Sequence, residues 1–121
     1  MAAAYNGRIY NAIKAGKNFG INWDGQLYMI DYWAIISGTP NLNEAYEFIK
    51  FALMKDPQIK FSEGIPYGAT NKAAISGMPA KIAANLPNAP KNMKNPLRYV
   101  PEFWADRAEE LLEQFNAWAS K

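Results

Sequence analysis

Residues 27–36 read Leu-Tyr-Met-Ile-Asp-Tyr-Trp-Ala-Ile-Ile, an apolar run interrupted by a single carboxylate. Ten residues rich in aromatic and β-branched side chains are typical of one long, largely buried strand. An ionised carboxylate inside such a strand is costly unless a cation or a set of hydrogen-bond donors meets it. The sequence therefore predicts that Asp31 has a specific partner.

Two kinds of partner for Asp31 fit the residues around it. Side chains alternate along a strand, so Met29, Asp31 and Trp33 are expected to share one face. An acid and an indole on one face indicate a binding site for an ammonium group, because cations are attracted to aromatic rings. The alternative is structural: Asp31 pairs with an Arg or Lys of the protein, or accepts hydrogen bonds from buried backbone amides.

Length and composition are those of one small globular domain. The chain has 121 residues, of which 50% are hydrophobic and 20% charged, and a domain of this size buries roughly 65% of its unfolded surface. The net charge is only +2, with 13 basic and 11 acidic residues, and the basic residues form no block. This distribution argues against a nucleic-acid partner.

The residue types that are missing exclude several kinds of chemistry. The chain contains no cysteine and no histidine, which removes disulfides, most zinc sites, thiol nucleophiles and histidine-centred base catalysis. The carboxylates are dispersed, and the glycines do not form a phosphate-binding loop. We therefore expect no enzyme activity, no catalytic residues, no metal site and no cofactor. The apolar run at 27–36 is too short to span a membrane, and the N-terminus lacks the features of a signal peptide.

The first third of the chain is predicted to be mixed helix and strand. A short strand at 2–5 and the Asn6-Gly7 turn precede a helix over 8–15, which Gly16 ends. Alternating residues at 19–23 predict a strand, and Asp24-Gly25 a turn that joins it to the strand at 27–36 as a hairpin.

The remainder is predicted to be helical, with irregular connections. Asn41 and Asn71 are the expected N-caps of two helices, and Asp56-Pro57 is expected to start another with proline at its first position. A weak helix follows at 79–85, and 86–101 is an extended, proline-containing connection. The last helix carries an apolar stripe expected to dock on a core, formed by Trp104, Ala108, Leu111, Phe115 and Trp118.

The loop Ile65-Pro-Tyr-Gly68 presents one phenol from a rigid backbone. A rigid loop that offers a phenol beside short polar residues is typical of ligand recognition. Tyr67 is therefore a candidate binding residue. The other interpretation is that Tyr67 only covers the core.

Six short motifs occur in an order that resembles a known family. They are Tyr5-Asn-Gly, Trp23-Asp-Gly, Tyr28-Met-Ile-Asp-Tyr-Trp-Ala-Ile, Asn43-Glu-Ala-Tyr-Glu-Phe-Ile-Lys-Phe, Ile65-Pro-Tyr-Gly and Phe103-Trp-Ala-Asp. Together they resemble the C-terminal part of extracellular solute-binding proteins of the spermidine/putrescine-binding type, the receptors of ABC importers. Such two-lobed receptors are about three times as long, so the resemblance implies that this chain is a fragment.

The resemblance implies a fold, a location and a division into lobes. The fold is α/β: a partial periplasmic-binding-protein type II-like fold, helix-rich with a few strands. Residues 1–36 correspond to the end of the second lobe and the hinge-crossing strand, and residues 37–121 to the C-terminal, mainly helical part of the first lobe. The solute binds between the lobes, in the periplasm or outside the cell, and the full-length protein has an ABC permease as its partner.

The resemblance also assigns roles to residues. Asp31 corresponds to a carboxylate that receives an amine, Tyr67 to an aromatic residue of the later loop, and Tyr5 to an aromatic motif of the second lobe; Trp33 remains a candidate because it shares a face with Asp31. Polyamine binders often carry an acid where this chain has Arg8. One Arg and one Asp favour a ligand that carries both signs, or an internal ion pair, unless Arg8 points away from the cleft. The expected solute is therefore either a small cationic, polyamine-like compound or a zwitterionic, amino-acid-like one.

Two further hypotheses concern partners of the protein itself. Uncovered sheet edges and the apolar stripe of the last helix invite homo-oligomers formed by strand or domain exchange. The alternative to a receptor is a small helical interaction module that docks a partner helix on that stripe.

Overall fold

The computed structural model describes residues 2–121, which form mainly helices joined by irregular segments. The elements, in chain order, are α1 Asn6–Lys14, β1 Leu27–Tyr28, α2 Leu42–Ala52, α3 Lys55–Gly64, α4 Lys72–Gly77, α5 Ala80–Ala83, a 3₁₀ helix Pro90–Asn92, β2 Leu97–Arg98 and α6 Pro101–Ala119. The predicted class, helix-rich α/β with a few strands, is confirmed.

The core of the described chain is small and lies around α3, α4 and the segment that follows them. Its buried members are Ala69, Ala74, Met78 and Leu86, with Ile59, Ile82 and Ala83 packed against them. Leu86 is only 2% exposed. Apolar burial is therefore concentrated within residues 59–89, and the rest of the chain is attached to this centre.

Side-chain amides fix the start of α4 against α3. The Oδ1 atom of Asn71 accepts hydrogen bonds from the amides of Ala73 and Ala74, and its Nδ2 donates to the Leu53 carbonyl at 2.8 Å. Gln58 of α3 accepts from the amide of Asn71 at 2.9 Å. The predicted N-cap at Asn71 is confirmed, because its side chain satisfies two amides that the first helical turn leaves free.

The starts of α2 and α3 differ in detail from the prediction. α2 begins directly after Asn41, as predicted, but the Asn41 side chain makes no capping hydrogen bond. α3 begins at Lys55, so Pro57 is its third residue and not its first. Proline is tolerated in the first turn of a helix because those amides have no partner within the helix.

The long strand predicted at 27–36 is wrong, and so is the hairpin. Only Leu27–Tyr28 is a strand, and it pairs in parallel with Leu97–Arg98. The turn at Asp24-Gly25 forms, with Gly25 at φ 70°, but residues 2–5 and 19–23 are not strands. A strand exists only where a second backbone supplies hydrogen bonds, and residues 97–99 supply them only to Gln26 and Tyr28.

Gln26 ties the start of β1 to the proline-containing connection. Its Nε2 atom donates to the carbonyls of Pro87 at 2.9 Å and Asn92 at 2.7 Å. Asn92 is buried, and its own amide donates to the Leu86 carbonyl at 2.8 Å. The side-chain amides of Gln26 and Asn92 therefore connect the strand pair to the core through hydrogen bonds and not through apolar packing.

Helix α6 is formed as predicted, but it does not dock on a core within the described residues. None of its residues is buried, and Trp118 is 69% exposed. Its N-terminal end is held by Trp104, whose ring stacks on Tyr99 with centroids 5.7 Å apart. Over residues 2–121, no helix is both long enough and apolar enough to cross a bilayer.

The described chain exposes more surface than a compact domain of its mass. Its accessible surface is 9766 Å², whereas a folded monomer of this size is expected to expose about 6,600 Å². Exposed apolar side chains are concentrated in residues 27–36, on α2 and on α6. These faces have no cover from the described part of the chain.

Candidate functional site

The N-terminus of α1 lies against the loop that carries Tyr67. The Nδ2 atom of Asn6 donates to the carbonyl of Pro66 at 2.7 Å. Gly7 is buried, and a Cβ placed on it would lie 2.6 Å from Cγ1 of Ile65 and 2.8 Å from Cε1 of Tyr67. These contacts join segments that are 60 residues apart in sequence.

Three of the five predicted site residues lie at this contact or next to it in sequence. The guanidinium carbon of Arg8 lies 5.4 Å from the ring centre of Tyr5, within the range of a cation–π interaction. Gly7, between them in sequence, touches the ring of Tyr67. Tyr5 and Arg8 are both exposed. One exposed pair of a cation and a phenol ring therefore lies next in sequence to the Gly7–Tyr67 contact, and a guanidinium in such a place is suited to an anionic group.

The loop beneath Tyr67 is held from several sides. The buried hydroxyl of Ser62 donates to the Tyr67 carbonyl at 2.8 Å. Asn88 donates to the Ala69 carbonyl at 2.8 Å, and Gln58 accepts from the Thr70 amide at 3.0 Å. Each bond fixes a backbone group that would otherwise vary with loop motion. Tyr67 thus projects from a rigid base, as predicted for this loop.

The predicted environment of Asp31 differs from the one in the structure. Asp31 lies in a segment without regular secondary structure and is exposed, so its predicted burial in a strand is wrong for this chain. The physical reason is the missing neighbour strand: within the described chain no strand pairs with residues 29–36, and their Ile36 carbonyl accepts a turn hydrogen bond from the Thr39 amide instead. The structural alternative is not met either: the ion pairs among residues 2–121 are Lys50–Glu47, Lys60–Glu63 and Arg107–Glu110.

Trp33 packs on α2 and is not part of the Tyr67 junction. Its ring meets Phe48 edge-on, with centroids 5.2 Å apart. The two line a shallow apolar cleft of about 240 Å³ together with residues 34–36 and Thr39, Ala45 and Ile49. Trp33 is still 59% exposed. The strand alternation that predicted a shared face with Asp31 does not apply, because residues 29–36 form no strand.

A second cleft, of about 320 Å³, lies beside the turn at residues 24–25. It is lined by Trp23, Asp24, Lys91, Asn92, Lys94 and Asn95. Asp24 already accepts a hydrogen bond from Asn95 at 2.7 Å, so this carboxylate fastens the turn to the connection. Within residues 2–121, no cluster of acidic side chains is arranged to hold a metal ion.

Asn6 and Gly7 are site residues whose position the sequence interpretation missed. The Asn-Gly pair was predicted as a turn before the helix, whereas it forms the first turn of α1. Glycine and asparagine are common in turns, and this preference led to the turn prediction. It concealed that Gly7 allows a close contact with Tyr67 and that the Asn6 side chain donates a hydrogen bond to Pro66.

The described chain combines a loop held by several hydrogen bonds with large uncovered faces. Comparison with known sequences assigns the class. The profile of the family described as bacterial extracellular solute-binding protein matches residues 1–92. The chain belongs to this family.

Two relatives give the assignment detail. The chain is 46% identical, over all 121 residues, to the gamma-aminobutyric acid-binding protein of Pseudomonas aeruginosa, and it spans 34% of that protein. It is also similar to the structure of the periplasmic binding protein AgtB from A. tumefaciens R10 in complex with agropinic acid, with a TM-score of 0.73 and 34% identity. That match covers 96% of this chain and 37% of AgtB. The chain therefore spans about a third of the length of these relatives.

The comparisons confirm the predicted family and the partial periplasmic-binding-protein fold. Both relatives are binding proteins by name, in agreement with the expectation that this family does not act as enzymes. The family membership also favours the receptor interpretation over a small helical interaction module.

Proposed function

We propose that this chain is part of the solute receptor of an ABC importer and that the solute is zwitterionic and amino-acid-like. The observation that supports this proposal most strongly is the exposed Arg8–Tyr5 pair at the start of α1, beside Gly7, where α1 lies against the Tyr67 loop. The Pseudomonas aeruginosa relative, at 46% identity, is named for a solute of this class. Binding such a solute requires fixed charges and ring faces but no nucleophile.

Each candidate residue has a separate role in the proposal. Arg8 receives the solute carboxylate, for which the planar guanidinium is well suited. Tyr5 and Tyr67 enclose the apolar stem. Asp31 receives the ammonium group once the remainder of the receptor covers it, and Trp33 borders that end.

A polyamine is the weaker candidate for this site. A diamine carries a positive charge at both ends, and the exposed guanidinium of Arg8 would repel one of them. Neither relative is named for a polyamine. Specificity for an amino acid over a diamine follows from this single cation, because an unfavourable charge contact excludes a competing ligand.

The lobes and partners are proposed on the same basis. Residues 1–36 belong to the second lobe and the crossing segment, and residues 37–121 to the first lobe. The Asn6–Pro66 hydrogen bond then crosses the cleft. The complete receptor works in the periplasm or outside the cell and delivers its solute to an ABC permease.

The test uses a complete receptor made by placing residues 1–121 in the matched third of the Pseudomonas aeruginosa relative. Thermal shift and calorimetry with gamma-aminobutyric acid, other amino acids and putrescine measure binding. A solute at about a hundredfold excess over its Kd should stabilise the receptor by about 2.7 kcal/mol. We expect amino acids to bind and putrescine to bind at least tenfold more weakly.

Substitutions identify the residues that carry the charges. Arg8→Gln and Asp31→Asn should each weaken amino-acid binding by tenfold or more, while Arg107→Gln and Asp106→Asn on α6 should leave it within twofold. Preferential binding of putrescine would overturn the zwitterion proposal in favour of a polyamine. A folded receptor that binds none of these solutes would overturn both.

A further inference from the structure

We propose that Gly7 is a positioning residue that sets the separation between the Tyr5–Arg8 pair and Tyr67, and thereby the length of solute that the site accepts. This inference rests on the proposed function. It assigns specificity to a residue that has no side chain and touches no charged group.

The space at Gly7 is too small for any other residue. A Cβ would lie 2.6 Å from Cγ1 and 2.9 Å from Cδ1 of Ile65, and 2.8 Å from Cε1 of Tyr67. Carbon atoms in contact normally lie about 3.5–4.0 Å apart. A methyl group at this position therefore requires the two sides to separate by about 1 Å.

Local backbone geometry does not explain the glycine. Positive φ angles within residues 2–121 occur at Gly16, Gly25 and Gly38, and not at Gly7. Gly7 is the second residue of α1, where alanine would form the helix more readily. The close approach of Ile65 and Tyr67 is the reason that remains for a residue with no side chain.

The side that moves is α1. Among the nine residues Asn6–Lys14, Gly7 alone is buried. α1 therefore contacts the rest of the described chain through only a small buried surface. The backbone of the loop opposite is held by three hydrogen bonds: Ser62 and Asn88 donate to its carbonyls, and Gln58 accepts from the Thr70 amide. An added methyl group would displace α1, which carries Arg8 and follows Tyr5, relative to the held backbone of the Tyr67 loop. Arg8, which binds the solute carboxylate in the proposal, then lies farther from the Tyr67 ring. A longer solute therefore fits better.

The experiment compares Gly7→Ala with Gly20→Ala in the complete receptor defined above. Gly20 is the matched control, because it has a normal φ angle and no atom within 4 Å of an added Cβ. Affinities are measured for gamma-aminobutyric acid and for 5-aminopentanoic acid, which is one carbon longer. Gly7→Ala should weaken the shorter solute by tenfold or more and shift the preference toward the longer one by at least fivefold. Gly20→Ala should change neither affinity by more than twofold.

A second measurement on the 121-residue chain checks the contact directly. Nuclear Overhauser effects between Gly7 and the Ile65 methyl groups should be present in the unaltered chain. In Gly7→Ala, effects between α1 and residues 65–67 should be weakened, while circular dichroism retains the helical signal.

The outcomes separate this inference from the proposed function. Equal affinities with and without Gly7→Ala would overturn only the role of Gly7. An equal loss for both solutes would reduce Gly7 to a structural residue and also overturn it. An unaltered, folded receptor without any amino-acid binding would overturn the proposed function, and the role of Gly7 with it.

Discussion

At the scale of single residues, amide side chains contribute as much to the architecture as apolar ones. Asn6, Gln26, Gln58 and Asn88 each bond to backbone groups of a segment distant in sequence. Such bonds contribute about 0.5–1.5 kcal/mol each and fix geometry more than they add stability. The apolar core is small, so the loss of one of its members should be felt strongly.

Leu86 provides the test of how much stability this core supplies. It is 2% exposed and packs with Met78 and Ala74. Leu86→Ala should lower the free energy of unfolding by about 2–5 kcal/mol, because it removes apolar contacts and leaves a cavity. Leu112→Ala is the matched control, since Leu112 is 58% exposed, and should change it by less than about 0.5 kcal/mol. Urea unfolding of both variants measures the difference, and equal effects would contradict the position of the core.

At the scale of elements, helices with local start signals were predicted correctly and strands were not. Asn71 and the apolar spacing of α6 are encoded within a few neighbouring residues. A strand depends on a partner elsewhere in the chain, and only residues 97–99 supply one here. The intrinsic strand preference of residues 27–36 was therefore insufficient to make the whole run a strand.

The two asparagine positions before α2 and α4 test whether the capping bonds matter. Asn71→Ala removes the bonds to Ala73, Ala74 and Leu53 and should destabilise the chain by about 1–2 kcal/mol. Asn41→Ala stands at the same position before α2, where the side chain makes no capping bond, and should cost less than about 0.5 kcal/mol. Denaturant unfolding compares them. A larger loss for Asn41→Ala would show that the cap assignments are reversed.

The candidate site was predictable in its residue types but only partly in its geometry. The start of α1, which Tyr5 precedes and which carries Arg8, lies against the Tyr67 loop, and no periodicity connects positions so far apart. The binding roles of these residues stay a prediction. Asp31 and Trp33 were placed on one face by strand alternation, and that argument failed with the strand. Gly7 was not foreseen because a close approach leaves no trace in the sequence except a glycine, and glycine has commoner uses.

At the scale of the whole molecule, uncovered apolar surface is the dominant property. The chain exposes about 3,000 Å² more than a compact domain of its mass. A stable protein interface buries about 1,200–2,000 Å². The excess exposed surface is thus at least as large as a stable protein interface. In the proposed receptor, the other two thirds of the protein bury it.

The isolated 121-residue chain should therefore associate with itself. Copies meet through the apolar side of α6, where Phe115 and Trp118 are exposed, because burial of this area is favourable by about 25 cal/mol per Å². Light scattering over a concentration series should show dimers or larger species. Phe115→Glu should shift the chain toward the monomer by placing a charge on that side, whereas Glu113→Gln, on an exposed part of the same helix, should not. A monomer at every concentration would contradict the prediction. If Phe115→Glu leaves the association unchanged, the contact between copies is not on α6. The exposed segment at 29–36 is then the remaining site, where copies exchange strands.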